Sequence, residues 1–331
     1  KKKKVNTESG VRTNLNVQNN QDQITVTNEH LTFIFDKNDG RITSYVFNGN
    51  ELLKDRKGPK PNFWRAITDN DFGNHMDEKN IKWKQASLES TVKYFDYKTL
   101  ENGSIALEVT FHLTGVETTF TSNYTIYGNG VIHIENILNE TTYEGDIPRI
   151  GMRMQLPKAY ENLNYFGRGP WENYQDRKIS AFVDLYTSKV SDQYVPYIRP
   201  QDNGYKTDTR WIALSNENKN GLLFVSDSEN HLSFSALHME NEDFDTTSGL
   251  DYKNSNKSKH TIDIKEKDLV QLNIDLGQRG VAGDDSWWSK PMEKYQFKGS
   301  QSHTYRFYII PFENKTEVDF INFSKQYQSQ N

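Results

Sequence analysis

The sequence lacks cysteine, and several other signals are scarce. Without cysteine, its 331 residues form no disulfide, no thiolate metal site and no cysteine nucleophile. No apolar run approaches the roughly 20 residues that span a bilayer, so no membrane partner is expected. With 40 basic and 45 acidic residues, the net charge of −5 gives no electrostatic case for binding nucleic acid. The opening KKKKVNTESG has no apolar segment behind it and no methionine, which indicates a piece of a longer chain and not a signal peptide.

Familiar catalytic patterns are also missing from the sequence. The eight histidines are scattered, without the i, i+4 pairs or short spacings of a zinc site. There is no G-x-S-x-G elbow and no phosphate-binding glycine loop. We therefore expect no metal and no cofactor on this chain.

Alternating apolar residues are abundant instead, and they predict strands. The clearest case is Ile105 to Leu113, where every second residue is apolar. Ile150 to Leu156 and Val270 to Leu276 repeat the pattern, and Gly128-Asn129-Gly130 reads as a hairpin turn. Aromatic residues make up 13% of the chain, which also favours strands. No strand-then-helix alternation typical of a TIM barrel occurs, so we predict an antiparallel all-β fold.

The two ends of the chain differ from this pattern. Residues 1–22 are polar without periodicity and are interpreted as a linker or the end of a preceding domain. The main domain is predicted over 23–312. The extension 313–331 is predicted to form a short helix, with Phe320, Phe323 and Tyr327 on one face.

Three turn-rich segments are candidates for function, and the first is FWRAITDNDFGN at 63–74. It is compatible with a polar turn between strands, or with a loop whose carboxylates and amides accept hydrogen bonds from sugar hydroxyls. Asp69, Asn70 and Asp71 also suggest a calcium loop, although their spacing does not match an EF-hand.

The second segment is YFGRGPWENYQDRKISAFVDLY at 165–186, which contains a tight turn and several charges. The structural interpretation is a corner held by an ion network of Glu172, Asp176 and Arg177. The functional alternative makes Glu172 an acid or base.

The third segment is VAGDDSWWSKP at 281–291, which carries two of the six tryptophans in a predicted loop. The pair either plugs the end of a β-sandwich or provides a platform on which a sugar ring stacks. Spacing alone does not decide between these alternatives.

Taken in order, RAITDNDFG, GRGPWENYQDR, YVPYIRPQDNG and GDDSW resemble the C-terminal domain of family 2 glycoside hydrolases of the β-galactosidase type. The resemblance covers roughly 23–312. It implies a large antiparallel β-supersandwich of the galactose mutarotase-like type.

The resemblance also implies roles for individual residues. Trp287 would form part of a substrate-binding wall, whereas Trp288 is interpreted as packing. The loop around Arg65, Asp69 and Asn70 would border the same site, and these three residues would bind the substrate together with Trp287. The structural motif would consist of Gly167, Gly169, Pro170, Glu172, Asn173, Tyr174, Asp176 and Arg177. Trp171 departs from the family pattern, where no aromatic residue is expected.

In this family the two catalytic glutamates lie in a TIM barrel that precedes the domain, and no barrel is present here. The resemblance thus implies a retaining β-galactosidase as the parent, with no catalytic residue on this chain and an inactive fragment. Its partners would be a β-galactoside and the barrel of the same polypeptide. Magnesium and sodium belong to the parent's barrel, and a homo-oligomeric parent is compatible with the resemblance. The sequence leaves the compartment open between cytoplasm and periplasm.

Two other functions stay open at this stage. A standalone carbohydrate-binding module would use the same exposed tryptophan. A mutarotase-like epimerase would need an acid/base pair such as Glu172 with His231 or His238 in one pocket.

Overall fold

The computed structural model describes residues 14–227, 231–246, 250–251, 259–285 and 288–328. Antiparallel strands dominate these residues, which confirms the predicted all-β class. The strands are β1 Asn16–Asn19, β2 Gln23–Thr27, β3 Leu31–Asp36, β4 Arg41–Phe47, β5 Asn50–Glu51, β6 Lys60–Asn62, β7 Thr91–Thr99, β8 Ile105–Leu113, β9 Thr118–Ile126, β10 Ile132–Leu138, β11 Asp146–Ile147, β12 Arg149–Leu156, β13 Asn162–Gly169, β14 Phe182–Lys189, β15 Lys206–Thr209, β16 Trp211–Ser215, β17 Gly221–Ser226, β18 Leu232–Leu237, β19 Val270–Gln278, β20 Phe297–Lys298 and β21 His303–Phe312.

Helices are short in the described part of the chain. They are α1 Asp69–Gly73, α2 Met76–Lys79, α3 Ile81–Leu88, α4 Asn241–Phe244 and α5 Glu317–Gln328, with 3-10 turns at Ser191–Gln193, Thr261–Asp263 and Glu293–Tyr295. The sequence predicts only the last of the five α-helices, because the others are too short to show a helical period. None of the helices in the described ranges is long and apolar enough to cross a membrane.

Three large sheets carry the fold across the described residues. The first has the order β1-β2-β3-β4-β5, and the second has the order β14-β13-β16-β17-β21-β10-β9-β8-β7. The third, which we call the polar-faced sheet, has the order β15-β18-β19-β12-β6. One apolar core takes side chains from all three sheets, for example Phe33, Val109 and Ile274. This arrangement confirms the predicted large antiparallel supersandwich.

The alternation in the sequence accounts for the outer strands. Along β8, every apolar residue from Ile105 to Leu113 is buried, and the intervening residues are more exposed. The turn at 128–130 joins β9 to β10, with Ile126 opposite Ile132, and Gly130 adopts the left-handed φ of 85°. The predicted hairpin is therefore confirmed.

The polar-faced sheet departs from this simple pattern because both of its faces are buried. Met152, Met154, Leu272 and Ile274 point into the apolar core. The opposite side, which we call the polar face, carries the side chains that point away from this core. They are Arg149, Arg153 and Gln155 of β12, Ser233 and Ser235 of β18, and Gln271, Asn273, Asp275 and Gln278 of β19. Most are nearly inaccessible; Gln155 is 3% exposed and Asn273 is 1% exposed.

The chain ends correct one prediction and confirm another. Within the predicted linker 1–22, residues 16–19 form β1, which pairs with β2. This part is therefore a strand of the first sheet and not a linker. At the other end, α5 lies within 313–331 as predicted, with Phe320 and Tyr327 buried. Phe320 packs against Trp211 with ring centroids 5.9 Å apart.

Candidate functional site

The predicted site depends on the loop 280–290, which we call the tryptophan loop. Ser286 and Trp287 lie outside the described residues, so the structure describes the base of this loop and Trp288. The loop follows β19 almost directly. The contacts that hold the base of the loop therefore determine where the rest of the loop begins.

Asp176 holds the base from one side. Its Oδ1 accepts a hydrogen bond from the backbone N–H of Val281 at 3.0 Å, and its Oδ2 accepts one from Ala282 at 2.8 Å. Gly280 lies against the same carboxylate, where a Cβ would collide with it. Hydrogen bonds to an ionised acceptor are stronger than neutral ones. The GRGPWENYQDR segment is thus connected to the tryptophan loop through this one carboxylate.

Arg65 holds the base from the other side. Its Nη1 donates to the carbonyl of Arg279 at 2.7 Å and to Gln278 Oε1 at 3.2 Å. Its Nη2 donates to the carbonyl of Gly280 at 3.0 Å, and Nε and Nη2 both bind the carboxylate of Asp71. The side chain is 0% exposed and all five of its N–H donors are used. Direct contact between Arg65 and a substrate, as predicted from the sequence, does not fit this geometry; Arg65 anchors the loop.

Local helix capping places Asp71 in this contact. Thr68 caps α1, accepting from the Asp71 N–H at 3.1 Å, while the Asp71 carboxylate accepts from the Thr68 N–H at 3.2 Å. Burial alone would raise the pKa of Asp71, but the guanidiniums of Arg65 and Arg279 outweigh it and lower that pKa. Because two arginines occupy the carboxylate, it does not fit a calcium site with Asp69 and Asn70.

Asn70 and Asp69 occupy different environments. Asn70 is half-buried, and its Nδ2 donates to the carbonyl of Val281 at 3.0 Å, so it belongs to the same clamp on the loop. The side chain of Asp69 is 63% exposed and pairs with Arg199, whose guanidinium lies over the Phe72 ring. Among the three predicted substrate-binding residues of 63–74, Asp69 alone presents a largely open side chain.

The corner at 165–177 is held together by internal contacts. Glu172 accepts from Arg177 at 2.8 Å, from the backbone N–H of Gly204 at 3.0 Å, and from the Tyr197 hydroxyl. Asn173 accepts from the Thr207 hydroxyl at 2.6 Å. The predicted motif residues further contribute a Gly167 packed on Thr209, a Gly169 packed on Tyr165, the cis Gly169–Pro170 bond, and a Tyr174 ring stacked on Tyr205.

The acid/base pair that an epimerase would need is not assembled from Glu172. The side chain of Glu172 is 8% exposed, and its partners come from Arg177, Tyr197 and Gly204. His238 lies instead beside Glu161, with its Nδ1 2.8 Å from the carbonyl oxygen of Leu269. In the described part of the chain, Glu172 therefore stabilises the corner at 165–177 and does not pair with His238.

Trp288 differs from the packing role expected from the sequence. It is 68% exposed, and its ring lies against His75, with centroids 5.0 Å apart. Asn74 Nδ2 donates to the carbonyl of Ser289 at 3.3 Å nearby. Residues 74–75 therefore contact the far side of the tryptophan loop. Trp171, the departure from the family pattern, is 60% exposed.

Beneath the loop lies a buried ionic cluster, of which sequence analysis identified only Arg65 and Asp71 as candidate residues. Arg279 donates to Asp146 at 2.8 Å, Asn74 at 2.8 Å and Asp71 at 3.2 Å. Arg149 Nε lies 3.0 Å from Asp275 Oδ2, an ion pair whose geometry does not make a hydrogen bond. The cluster comprises Arg65, Arg149 and Arg279 with Asp71, Asp146, Asp202 and Asp275.

Asp275 is the member of this cluster with an unusual pKa. Burial raises its pKa to about 7, although Arg149 and the Tyr205 hydroxyl act against the increase. Burial likewise raises the pKa of Asp202. The cluster has four carboxylates and three guanidiniums, so protonating one carboxylate brings its net charge to zero. Arg65, Asp71 and Asp202 lie in the turn-rich motifs of the sequence, whereas Arg149 and Asp275 lie in alternating strands without any motif.

Comparisons with known proteins identify the family of this chain. A family model described as the β-galactosidase small chain matches residues 27–309. The β-galactosidase of Priestia megaterium is 35% identical over 307 residues, covering 90% of this chain and 27% of its own length. That of Streptococcus thermophilus is 26% identical over 309 residues, covering 93% of this chain and 29% of its own length. The chain thus spans less than a third of these relatives.

Similarity to solved structures concerns the fold alone. A TPR-domain-containing protein from Parabacteroides distasonis aligns with a TM-score of 0.51 at 10% identity, covering 90% of this chain and 48% of that one. A galactose mutarotase-related enzyme from Lactobacillus acidophilus aligns with a TM-score of 0.48 at 10% identity, covering 89% of this chain and 99% of that one.

Proposed function

Since the chain belongs to the β-galactosidase small-chain family, we propose that it is the C-terminal part of a retaining β-galactosidase of the glycoside hydrolase family 2 type. In this proposal a TIM-barrel domain of the same polypeptide supplies both catalytic carboxylates, which retaining enzymes hold about 5–5.5 Å apart. Any magnesium or sodium also belongs to that barrel. This chain contributes a wall of the β-galactoside site.

One observation carries the proposal: separate segments of the chain converge on the base of the tryptophan loop. Arg65 and Asn70 come from the first segment and Asp176 from the second, and all three bind the backbone of residues 279–282. A loop that merely plugs a sandwich does not need a charged clamp on its backbone. A loop that presents a side chain to a neighbouring domain must be held in place, because precise placement of a binding group determines its effect.

We infer from the family resemblance that the presented group is Trp287, which lies outside the described residues. An indole face against the apolar face of a galactose ring excludes water and fixes the orientation of that ring. We assign direct substrate contact to Trp287 and to the exposed Asp69. Arg65 and Asn70 act as positioning residues, since their donors are bound to the loop backbone.

The test is Trp287→Ala in the full-length protein, with kinetics measured on a chromogenic β-galactoside. Burying a large aromatic side chain is worth about 1–3 kcal/mol, so kcat/KM should fall roughly 5- to 150-fold. Trp288→Ala is the matched control, because it removes an adjacent exposed indole. We expect the control to stay within about twofold of wild type. Unchanged kinetics for Trp287→Ala, with the fold intact, would refute the substrate-wall assignment.

The isolated chain offers a second test. We expect it not to hydrolyse the same galactoside, because Glu172 is committed to Arg177, Tyr197 and Gly204. Steady turnover that disappears in Glu172→Gln would contradict the proposal and make this chain an enzyme by itself.

A further inference from the structure

A groove of about 290 Å³ lies at the opposite end of the polar face from the tryptophan loop. It is lined by Arg41, Lys57, Gly58, Lys60, Arg153, Met154, Gln155, Glu240, Glu242 and Gln271. Gln155 and Arg149 are six residues apart on β12, which corresponds to about 20 Å along a strand. The groove is therefore separate from the site proposed above. Its volume is close to the lower end of small-molecule pockets, about 300 Å³.

The carboxylates of the groove already have cationic or amide partners. Glu240 Oε1 accepts from Gln155 at 2.7 Å and from Lys57 at 3.4 Å, and its Oε2 accepts from Lys267 at 2.7 Å. Burial acts to raise the pKa of Glu240, but these donors lower it to about 2. Glu242 accepts from Arg153. Both carboxylates are therefore ionised and occupied, and neither repels an anion as strongly as a free carboxylate would.

The guanidinium of Arg41 is paired with a carboxylate but makes no hydrogen bond to it. Its Nε lies 2.5 Å from Asp39 Oδ2 as an ion pair, yet none of its nitrogens makes a hydrogen bond to a residue that the structure describes. Burial is the main cause that lowers the pKa of Arg41; Asp39 opposes this, and the neighbouring Arg153 adds to it. Two guanidiniums thus repel each other beside the groove. An oxyanion between them would remove that repulsion and accept their free N–H groups.

Gln155 supplies an independent sign of a missing ligand. Its Nε2 donates to Glu240 Oε1 and, at 3.1 Å, to Gln271 Oε1. Because the ionised Glu240 only accepts, this contact fixes the orientation of the amide. Gln155 Oε1 is buried and has no hydrogen-bond partner in the described part of the chain. A buried acceptor without a donor is costly, and a hydroxyl group in the groove would satisfy it.

From these contacts we propose that the groove binds a small oxyanion that carries hydroxyl groups, a sugar acid or a sugar phosphate. The oxyanion lies between Arg41 and Arg153, and a ligand hydroxyl donates to Gln155. Four cationic side chains and two carboxylates line the groove, so its lining favours an anion over a neutral sugar. None of the described residues that line the groove is an aromatic residue on which a neutral sugar ring would stack.

The experiment is isothermal titration calorimetry on the purified chain with galactonate, galactose 6-phosphate, inorganic phosphate and galactose as separate probes. We expect at least one of the two charged sugars to bind at least tenfold more tightly than either galactose or phosphate. The tighter of the two identifies the preferred anion. Binding of phosphate equal to that of galactose 6-phosphate would overturn the hydroxyl contact, and equal binding of galactose would overturn the anion site. Absence of binding by both charged sugars would also overturn it.

Three variants link the binding to the groove. Arg41→Gln and Arg153→Gln should each weaken binding roughly 10- to 100-fold, because each removes hydrogen bonds to a charged group. Lys158→Gln removes the same charge from outside the groove, where Lys158 pairs with Glu266, and should leave the affinity within about twofold. If circular dichroism shows that Arg41→Gln does not fold, the affinity of Arg153→Gln alone tests the site. Unchanged affinity in a folded Arg153→Gln variant would overturn the site.

Discussion

The two ends of the polar face carry similar residues but use them differently. At the tryptophan-loop end, every N–H donor of Arg65 binds a protein acceptor, and the side chain is 0% exposed. At the groove end, Arg41 makes no hydrogen bond to a described residue, and Gln155 keeps an unpartnered oxygen. An arginine whose donors are all bound, such as Arg65, fixes the backbone around it, whereas Arg41 retains the capacity to bind. The same residue types thus act as a scaffold at one end and as a candidate ligand site at the other.

The largest loss in the free energy of unfolding should come from replacing Arg65, whose five N–H donors are all bound. Arg65→Met leaves the buried Asp71 carboxylate with less compensation and frees the carbonyls of the tryptophan loop. Removing one partner of a buried ion pair costs about 3–5 kcal/mol in the free energy of unfolding. Arg153→Met is the matched change at the groove end, where the pair with Glu242 is partly exposed and worth about 0–1 kcal/mol. Chemical denaturation measures the free energy of unfolding of both variants. Equal losses would contradict the claim that the two ends of the polar face differ in how their arginines are bound.

A smaller effect should appear in the pH dependence of stability. The folded pKa of Asp275 is about 7, above the roughly 3.9 of an unfolded aspartate, so the folded state binds the extra proton. Stability from this group is complete below about pH 4 and is lost as the pH rises through 7. One pKa unit corresponds to about 1.4 kcal/mol, which bounds the loss at about 4 kcal/mol.

Comparing Asp275→Asn with wild type isolates this contribution, because the amide does not titrate. We expect the unfolding free energy of the variant to decline less between pH 4 and 8. The lowered pKa of Asp71 affects stability only below this window, since it lies under the unfolded value. Parallel curves for the two proteins would show that Asp275 does not titrate in this range.

The smallest effect concerns the clamp on the loop itself. Asp176→Ala removes two hydrogen bonds to backbone N–H groups, which should cost about 1–3 kcal/mol. Trp171→Gln changes the same motif at an exposed position and should stay within about 0.5 kcal/mol. Thermal unfolding of both variants is the measurement. If the Trp171 variant is as unstable as the Asp176 variant, the loss of stability comes from disturbing the corner at 165–177 and not from losing the hydrogen bonds to the tryptophan loop.

Sequence analysis predicted well where the signal is local. The alternation of β8, the turn at 128–130 and the apolar face of α5 follow directly from neighbouring residues. It failed where burial depends on distant partners. Arg65 stands in a polar loop that is expected to be exposed, yet three of its five hydrogen bonds go to acceptors more than 210 residues away at 278–280.

The polar face shows the same limit. Alternation along β12 and β19 predicts one buried and one solvated side, but residues such as Asn273 are covered as well. Asn273 is enclosed by Asn62, Ser235 and Asn241, which come from three different segments. Single-strand patterns do not contain that information. The burial of the polar face was therefore not visible in the sequence.

The terminal helix α5 has a practical consequence for solubility. It covers an apolar patch on the nine-stranded sheet that includes Trp211, Tyr308 and Phe312. The match to the family model ends at residue 309, before this helix begins. A chain shortened to the family boundary would expose these aromatic rings, and a contiguous exposed apolar patch promotes aggregation. A helix beyond the matched family model thus covers this apolar face of the domain.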